Sequence, residues 1–319
     1  MNFLKGMEIF MIQTLHIVPE YNEDLIYPAI CKSMEALNIA ADLRPEMKIV
    51  IKPNMVMAKS PDFPATTHPL VVKAVIRWLK EQGMQHITIA ESSGGLYNVE
   101  AMKHVYHVCG MDALSPEAEL NMDFSAQTVN CPSGFKNHSF HLITPIVEAD
   151  YIINICKLKT HAMTGYSGGI KNLFGTIPGL EKPQMHYRWP EIEDFSNMLL
   201  ELAQTVAPQL TVIDAIDAME GNGPTGGTLT RCTCCWLPEI STPRTALPPD
   251  LWDWIPWRSS CCDKPWKKDW RIQKNWSLSA TRFPKGCLPS GSRIPSSWIS
   301  RTESHDFYEN RLPSLHPDC

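Results

Sequence analysis

The 319-residue chain is 44% hydrophobic and 20% charged, a balance that excludes wholesale disorder, collagen-like repeats and an all-membrane protein. Its formal net charge of −5 hides a break: residues 1–227 carry 16 basic and 25 acidic side chains, net −9, and residues 228–319 carry 13 and 9, net +4. An acidic body lacks the clustered basic face that a phosphate backbone requires, so no nucleic-acid partner is expected.

Residues 1–15 are apolar but interrupted by Lys5 and Glu8, and they lack a small-residue cleavage site. No run reaches the roughly 18 apolar residues of a membrane span. We therefore expect neither secretory signal nor membrane partner, and a cytoplasmic location with reduced thiols. Short β-branched runs at residues 48–51, 86–90, 151–155 and 210–213 predict buried parallel strands. Val72, Val75, Ile76 and Leu79 form one helical face after His68-Pro69, and Phe195, Met198, Leu199, Leu202, Ala203 and Val206 form another. Pro69 and Pro190 suit first helical turns, and Gly83 suits a helix end. The alternation predicts an α/β fold with a Rossmann-like, mostly parallel sheet and flanking helices.

In such sheets ligands gather at the carboxyl ends of strands. There the chain places Lys52-Pro53-Asn54, Ala65-Thr66-Thr67-His68-Pro69, Glu91-Ser92-Ser93, Lys157-Leu158-Lys159-Thr160-His161, Ser167-Gly168-Gly169-Ile170-Lys171-Asn172 and Asp214. The segment 157–186 carries three of these lysines, two histidines and several glycines, more cationic and flexible chemistry than a plain connection needs. Gly168 and Gly169 let backbone amides approach an anion, and Lys157, Lys159 and Lys171 supply charge to a phosphate or carboxylate. A lysine desolvated there becomes a nucleophile. The spacing is neither a P-loop nor a dinucleotide fingerprint. His161 and His186 suit proton transfer or metal ligation, and Glu91 suits a base. The bland alternatives are solvated turns, structural histidines and a helix-terminal carboxylate. His104 and His107 read as helix surface, and Cys31, Cys109, Cys131 and Cys156 as small buried residues.

Taken in order, these motifs, with Leu173-Phe174-Gly175 and Met219-Glu220-Gly221-Asn222-Gly223-Pro224, closely resemble the bacterial and archaeal family named domain of unknown function 362. Many members append a ferredoxin-type segment, and such proteins are often labelled iron-sulfur proteins. No iron-sulfur ligand pattern stands in this chain. The resemblance implies a small-molecule or cofactor ligand, with Asn54, His68, Gly168, Gly169 and Asn172 joining the lysines in binding, and a ferredoxin-like partner as an alternative. Residues 161–171 and His186 also resemble, more remotely, the cofactor-holding stretch of nickel-pincer lactate racemases. That resemblance implies that Lys171 anchors a phosphate-bearing organic cofactor, His186 ligates nickel or iron, and His161 moves the substrate proton. Ser92 and Ser93 stand where a racemase has its second histidine, which favours one-base or redox chemistry over racemisation.

From Thr228 the family pattern stops. Eight of the ten Trp and seven of the eleven Cys lie in 228–319. Cys232 and Cys235 make a C-x2-C pair, but Cys261-Cys262 lacks the spacing of a second zinc knuckle. Trp and Cys codons begin with TG, so reading one base earlier turns each into Leu, Val or Met. We read 228–319 as a frameshifted, poorly ordered tail on an α/β domain spanning 1–227, a product that is nonfunctional if the missing strands are essential. Resequencing codons 224–232 tests this.

Overall fold

The computed structural model describes residues 13–132 and 136–238, all within the first of two units, Met1–Leu251; the second, Trp252–Cys319, lies outside the described residues. Runs of β-branched residues without polar alternation need apolar cover on both faces, and helices supply it here. Strand β1 (Gln13–Ile17) leads to helix α1 (Glu23–Ala36), which the Asn22 side chain caps by accepting from the Asp24 amide. Then come β2 (Lys48–Pro53), α2 (Pro69–Glu81), β3 (His86–Ile89), α3 (Val99–Val108) and the short β4 (Glu119–Leu120). A separate hairpin, β5 (Ala126–Asn130) and β6 (Ser139–Ile143), and the short α4 (Thr144–Val147) precede β7 (Tyr151–His161). The chain continues through β8 (Gly165–Ser167), α5 (Gly169–Asn172), α6 (Glu181–Arg188), α7 (Ile192–Val206), β9 (Leu210–Glu220) and β10 (Thr228–Pro238).

The main sheet runs β1-β10-β9-β7-β2-β3-β4, with β8 folded back on the end of β7. From β9 to β4 the neighbours pair in parallel, and β10 and β1 join antiparallel at one edge. This is the mostly parallel α/β sheet expected. The path runs from β2 outward to β4, then resumes at β7 on the other side of β2. The β2/β7 junction is thus a topological switch point, where the crossovers diverge and leave a crevice at the strand ends.

One core joins Ile26, Ile30 and Met34 of α1 and Val72, Val75 and Leu79 of α2 to Ile49, Ile51, Ile153 and Val212 of the sheet. The expected stripe of α7, from Phe195 to Val206, is buried as well. His68 caps α2 ahead of Pro69, and Gly83 takes a φ of +83° just past its end, where an L side chain would be strained.

Three expectations shift. Pro190 precedes α7, whose cap is Glu191. Strands β7 and β9 run eleven residues each, so Lys157, Lys159, His161 and Asp214 stand within strands rather than after them. The sheet also continues past Gly227, because β10 pairs with β9 and β1 through Thr228–Pro238. Residues 239–319 of the expected tail lie outside the described residues.

Candidate functional site

On a strand, residues two apart share a face, and Lys-Leu-Lys-Thr-His therefore puts Lys157, Lys159 and His161 on one side of β7. Around the switch point five lysines are buried: Lys52, Lys157, Lys159, Lys171 and Lys182. Two have carboxylates. Lys52 Nζ lies 2.6 Å from Glu91 Oε2, both nearly inaccessible. Burial pushes the Glu91 carboxyl up and the Lys52 ammonium down, while their mutual attraction opposes both shifts. Gly175 makes the pair possible, since a Cβ there would stand 1.8 Å from Glu91 Oε1.

The second pair is Lys157 and Asp214, 3.0 Å apart. Tyr21 closes it: its hydroxyl donates to Asp214 Oδ1 at 2.7 Å and accepts from Lys157 Nζ. The His68 amide donates to Asp214 Oδ2 at 2.9 Å, and the His68 ring stacks on Tyr21 with centroids 3.8 Å apart. His68 Nδ1 accepts from the Leu70 amide, and burial holds the imidazole down at about 4. The histidine expected to bind a ligand thus stays neutral and serves the cap and the stack.

The other three lysines have no carboxylate. Lys159 Nζ donates to Asn54 Oδ1 at 2.7 Å and to the Ala65 carbonyl at 2.5 Å. Lys182 donates to Ser92 Oγ at 2.9 Å and to the Ile177 carbonyl at 2.6 Å. Lys171 makes no hydrogen bond to any described residue; its Nζ stands 4.2 Å from the Phe174 ring centroid and 5.3 Å from that of Phe195. Burial, helped by neighbouring ammonium groups and opposed at Lys159 and Lys182 by the Glu91 carboxylate, holds Lys159, Lys171 and Lys182 each at about 7.

His161 and His186 adjoin this group. Burial first, then the nearby Lys171, His186 and Lys159, depress His161 to about 3. Its Nδ1 accepts from the Met163 and Thr164 amides at 3.2 and 3.3 Å, which leaves the proton on Nε2. His186 stacks on Phe195 with centroids 4.4 Å apart and is held at about 4 by burial and Lys171. Among the described residues no three His, Cys, Asp or Glu side chains gather where a metal could sit.

The remaining expected ligand residues are engaged with the protein. Asn54 Nδ2 donates to Asn172 Oδ1 at 2.7 Å, Asn172 Nδ2 to Asn154 Oδ1 at 2.8 Å, and Asn154 Nδ2 to the Gly169 carbonyl at 2.9 Å. This amide chain fixes α5 and aims Asn54 at Lys159. A Cβ on Gly168 would collide with the Tyr166 ring and one on Gly169 would stand 3.0 Å from Thr211, so both glycines serve close packing. Cys109, Cys131 and Cys156 are buried as expected, Cys31 only partly; burial pushes the Cys156 thiol up to about 12. His104 and His107 are exposed on α3.

Lys182 and Tyr21 have no role in the sequence reading, and Lys52 and Asp214 only a place on the rim. Lys52 ends an apolar run in a strand that stays buried, a usable signal. Lys182 sits in the polar stretch Glu181–Arg188, where nothing local marks it as buried.

A family model described as Domain of unknown function (DUF362) matches residues 49–235, more than half of the chain. A thylakoid-associated protein of Synechocystis is 30% identical over 197 residues, covering 58% of this chain and 56% of that protein, so the chain spans about half the length of the curated relative it matches. Among solved structures, the lactate racemase apoprotein of Thermoanaerobacterium thermosaccharolyticum aligns with a TM-score of 0.44 at 11% identity, over 65% of this chain and 50% of that one. None of the helices among the described residues is long and apolar enough to cross a membrane.

Proposed function

The chain belongs to the domain of unknown function 362 family, and from that premise we propose that its strand-end crevice binds a small anion, a carboxylate or phosphate-bearing ligand. One observation carries this reading: five buried lysines share two partner carboxylates, Glu91 and Asp214. A buried charge without a counter-charge costs several kcal/mol. A fold keeps such a surplus where a ligand offsets it, and an anion bound by Lys159 and Lys182 would restore their protons. The paired lysines hold the strand ends together around them.

We assign His161 to donating a hydrogen bond from Nε2 to the bound ligand, since it is neutral and its Nδ1 is held by the Met163 and Thr164 amides. We assign Glu91 to holding Lys52 in place. An anionic ligand has more support than nickel or iron at His186, whose ring lies flat on Phe195. The acidic body and reduced cysteines suit a cytoplasmic location; cell fractionation tests this against the thylakoid association of the cyanobacterial relative.

Calorimetric titration of the full chain with phosphate and with propionate tests the anion site. Binding should weaken from pH 6 to pH 9 as the lysines lose their protons, and the double variant Lys159→Met, Lys182→Met should abolish it. Absence of binding by both anions, or affinity unchanged across that range, would overturn the proposal.

A further inference from the structure

Each buried lysine at the switch point has a hydrogen-bond acceptor except Lys171. Lys52 has Glu91 and the Pro53 carbonyl, Lys157 has Asp214, Lys159 has Asn54 and the Ala65 carbonyl, and Lys182 has Ser92 and the Ile177 carbonyl. Lys171 is 9% exposed and faces the rings of Phe174 and Phe195. Its backbone is well anchored, because α5 is tied to the sheet through Asn172, which bonds Asn54 and Asn154. A mostly buried amine on an anchored backbone, without a protein acceptor, is free to meet a ligand.

We propose that the ε-amine of Lys171 is a nucleophile that forms an imine with the carbonyl carbon of a small 2-oxo carboxylate. This rests on the anion-site reading above and names the substrate class of that site. Lys159 and Lys182 supply the carboxylate recognition: Lys182 lies close enough to Lys171 to suppress its charge, and Lys171 does the same to Lys159. Near neutral pH a substantial share of Lys171 is unprotonated, so a lone pair is present without a separate base. Nitrogen attacks the carbonyl carbon, a C–N bond forms, and the carbonyl oxygen takes up a proton to give a carbinolamine. That oxygen leaves as water with the protons the nitrogen gives up. Amine and carbonyl therefore become imine and water, and no oxidant or reductant takes part. The aromatic walls limit access of bulk water, which would reverse the condensation.

The test is reductive trapping. The full chain is incubated with pyruvate and sodium borohydride, then analysed by intact mass and peptide mapping. One adduct per chain is expected, mapped to Lys171, suppressed by excess propionate, and absent from Lys171→Arg and Lys171→Met proteins whose circular dichroism matches the parent. Adducts mapped to other lysines, or one that persists in Lys171→Arg, would overturn the assignment. Propionate binding by calorimetry without any adduct refutes the imine and leaves the anion site standing. If neither pyruvate nor propionate binds, both readings fall together.

Discussion

The two halves of the lysine cluster obey opposite rules. On one side Lys52 with Glu91 and Lys157 with Asp214 are closed pairs, fully buried and supported by Tyr21 and backbone groups. On the other, Lys159, Lys171 and Lys182 are also buried but have only neutral acceptors or none. The difference separates architecture from chemistry. A closed pair gains nothing from a ligand and loses much when one member is removed, whereas an open ammonium is a standing cost that a ligand relieves.

The largest expected effect breaks a closed pair. Glu91→Ala strands the Lys52 ammonium in the core and should cost about 3–5 kcal/mol, read by urea unfolding. A loss below about 1 kcal/mol would mean that water reaches the pair and the contrast is false. Gly175→Ala presses a methyl group onto the Glu91 carboxylate and should cost about 1–3 kcal/mol as overpacking, with the pair displaced. Unchanged stability there would show that the loop yields freely.

The open half should respond in the opposite sense. Lys171→Met replaces an ammonium that has no hydrogen-bond acceptor by an apolar side chain of similar length, and a gain of about 1 kcal/mol would raise the melting temperature by about 2–4 °C. The same change should end reductive trapping of pyruvate, a stability–function trade-off. A fall in melting temperature would show that the ammonium contributes to the fold.

A pH slope tests the three open lysines together. Lys159, Lys171 and Lys182 titrate near 7 when folded, well below their ordinary value in the unfolded chain. Between about 7 and 10.5 the unfolded state holds more protons, so ligand-free stability should rise with pH across that window and level off below it. Saturating phosphate should flatten the slope, because the ligand stabilises the protonated folded form. A slope of the opposite sign, followed by melting at several pH values, would count against open lysines.

The legible parts of the fold were those with local period. The runs at 48–51 and 151–155 became β2 and β7, and the stripes after His68 and from Phe195 became α2 and α7. The end of β7 was misread because Lys-Leu-Lys-Thr-His looked like a polar loop. Its alternation is a strand pattern, with charged residues on the inward side. The family match reaches residue 235 and β10 reaches Pro238, past the compositional break at 227. We place any break in reading frame near the end of that strand, so resequencing should extend to codon 240.

The sequence by itself determined the family, the parallel α/β sheet and the segment from Lys157 to His186 as the place where cations collect. Periodicity and motif order are local properties, carried by residues a few positions apart. Only the tertiary structure decided which lysines are neutralised and which are open, and it added Lys182 and Tyr21 to the site. Those decisions rest on pairs far apart in the chain: 39 residues between Lys52 and Glu91, 57 between Lys157 and Asp214, and 90 between Lys182 and Ser92. Such pairs are fixed by strand order and register, and the proton affinity of a buried amine follows from what stands beside it.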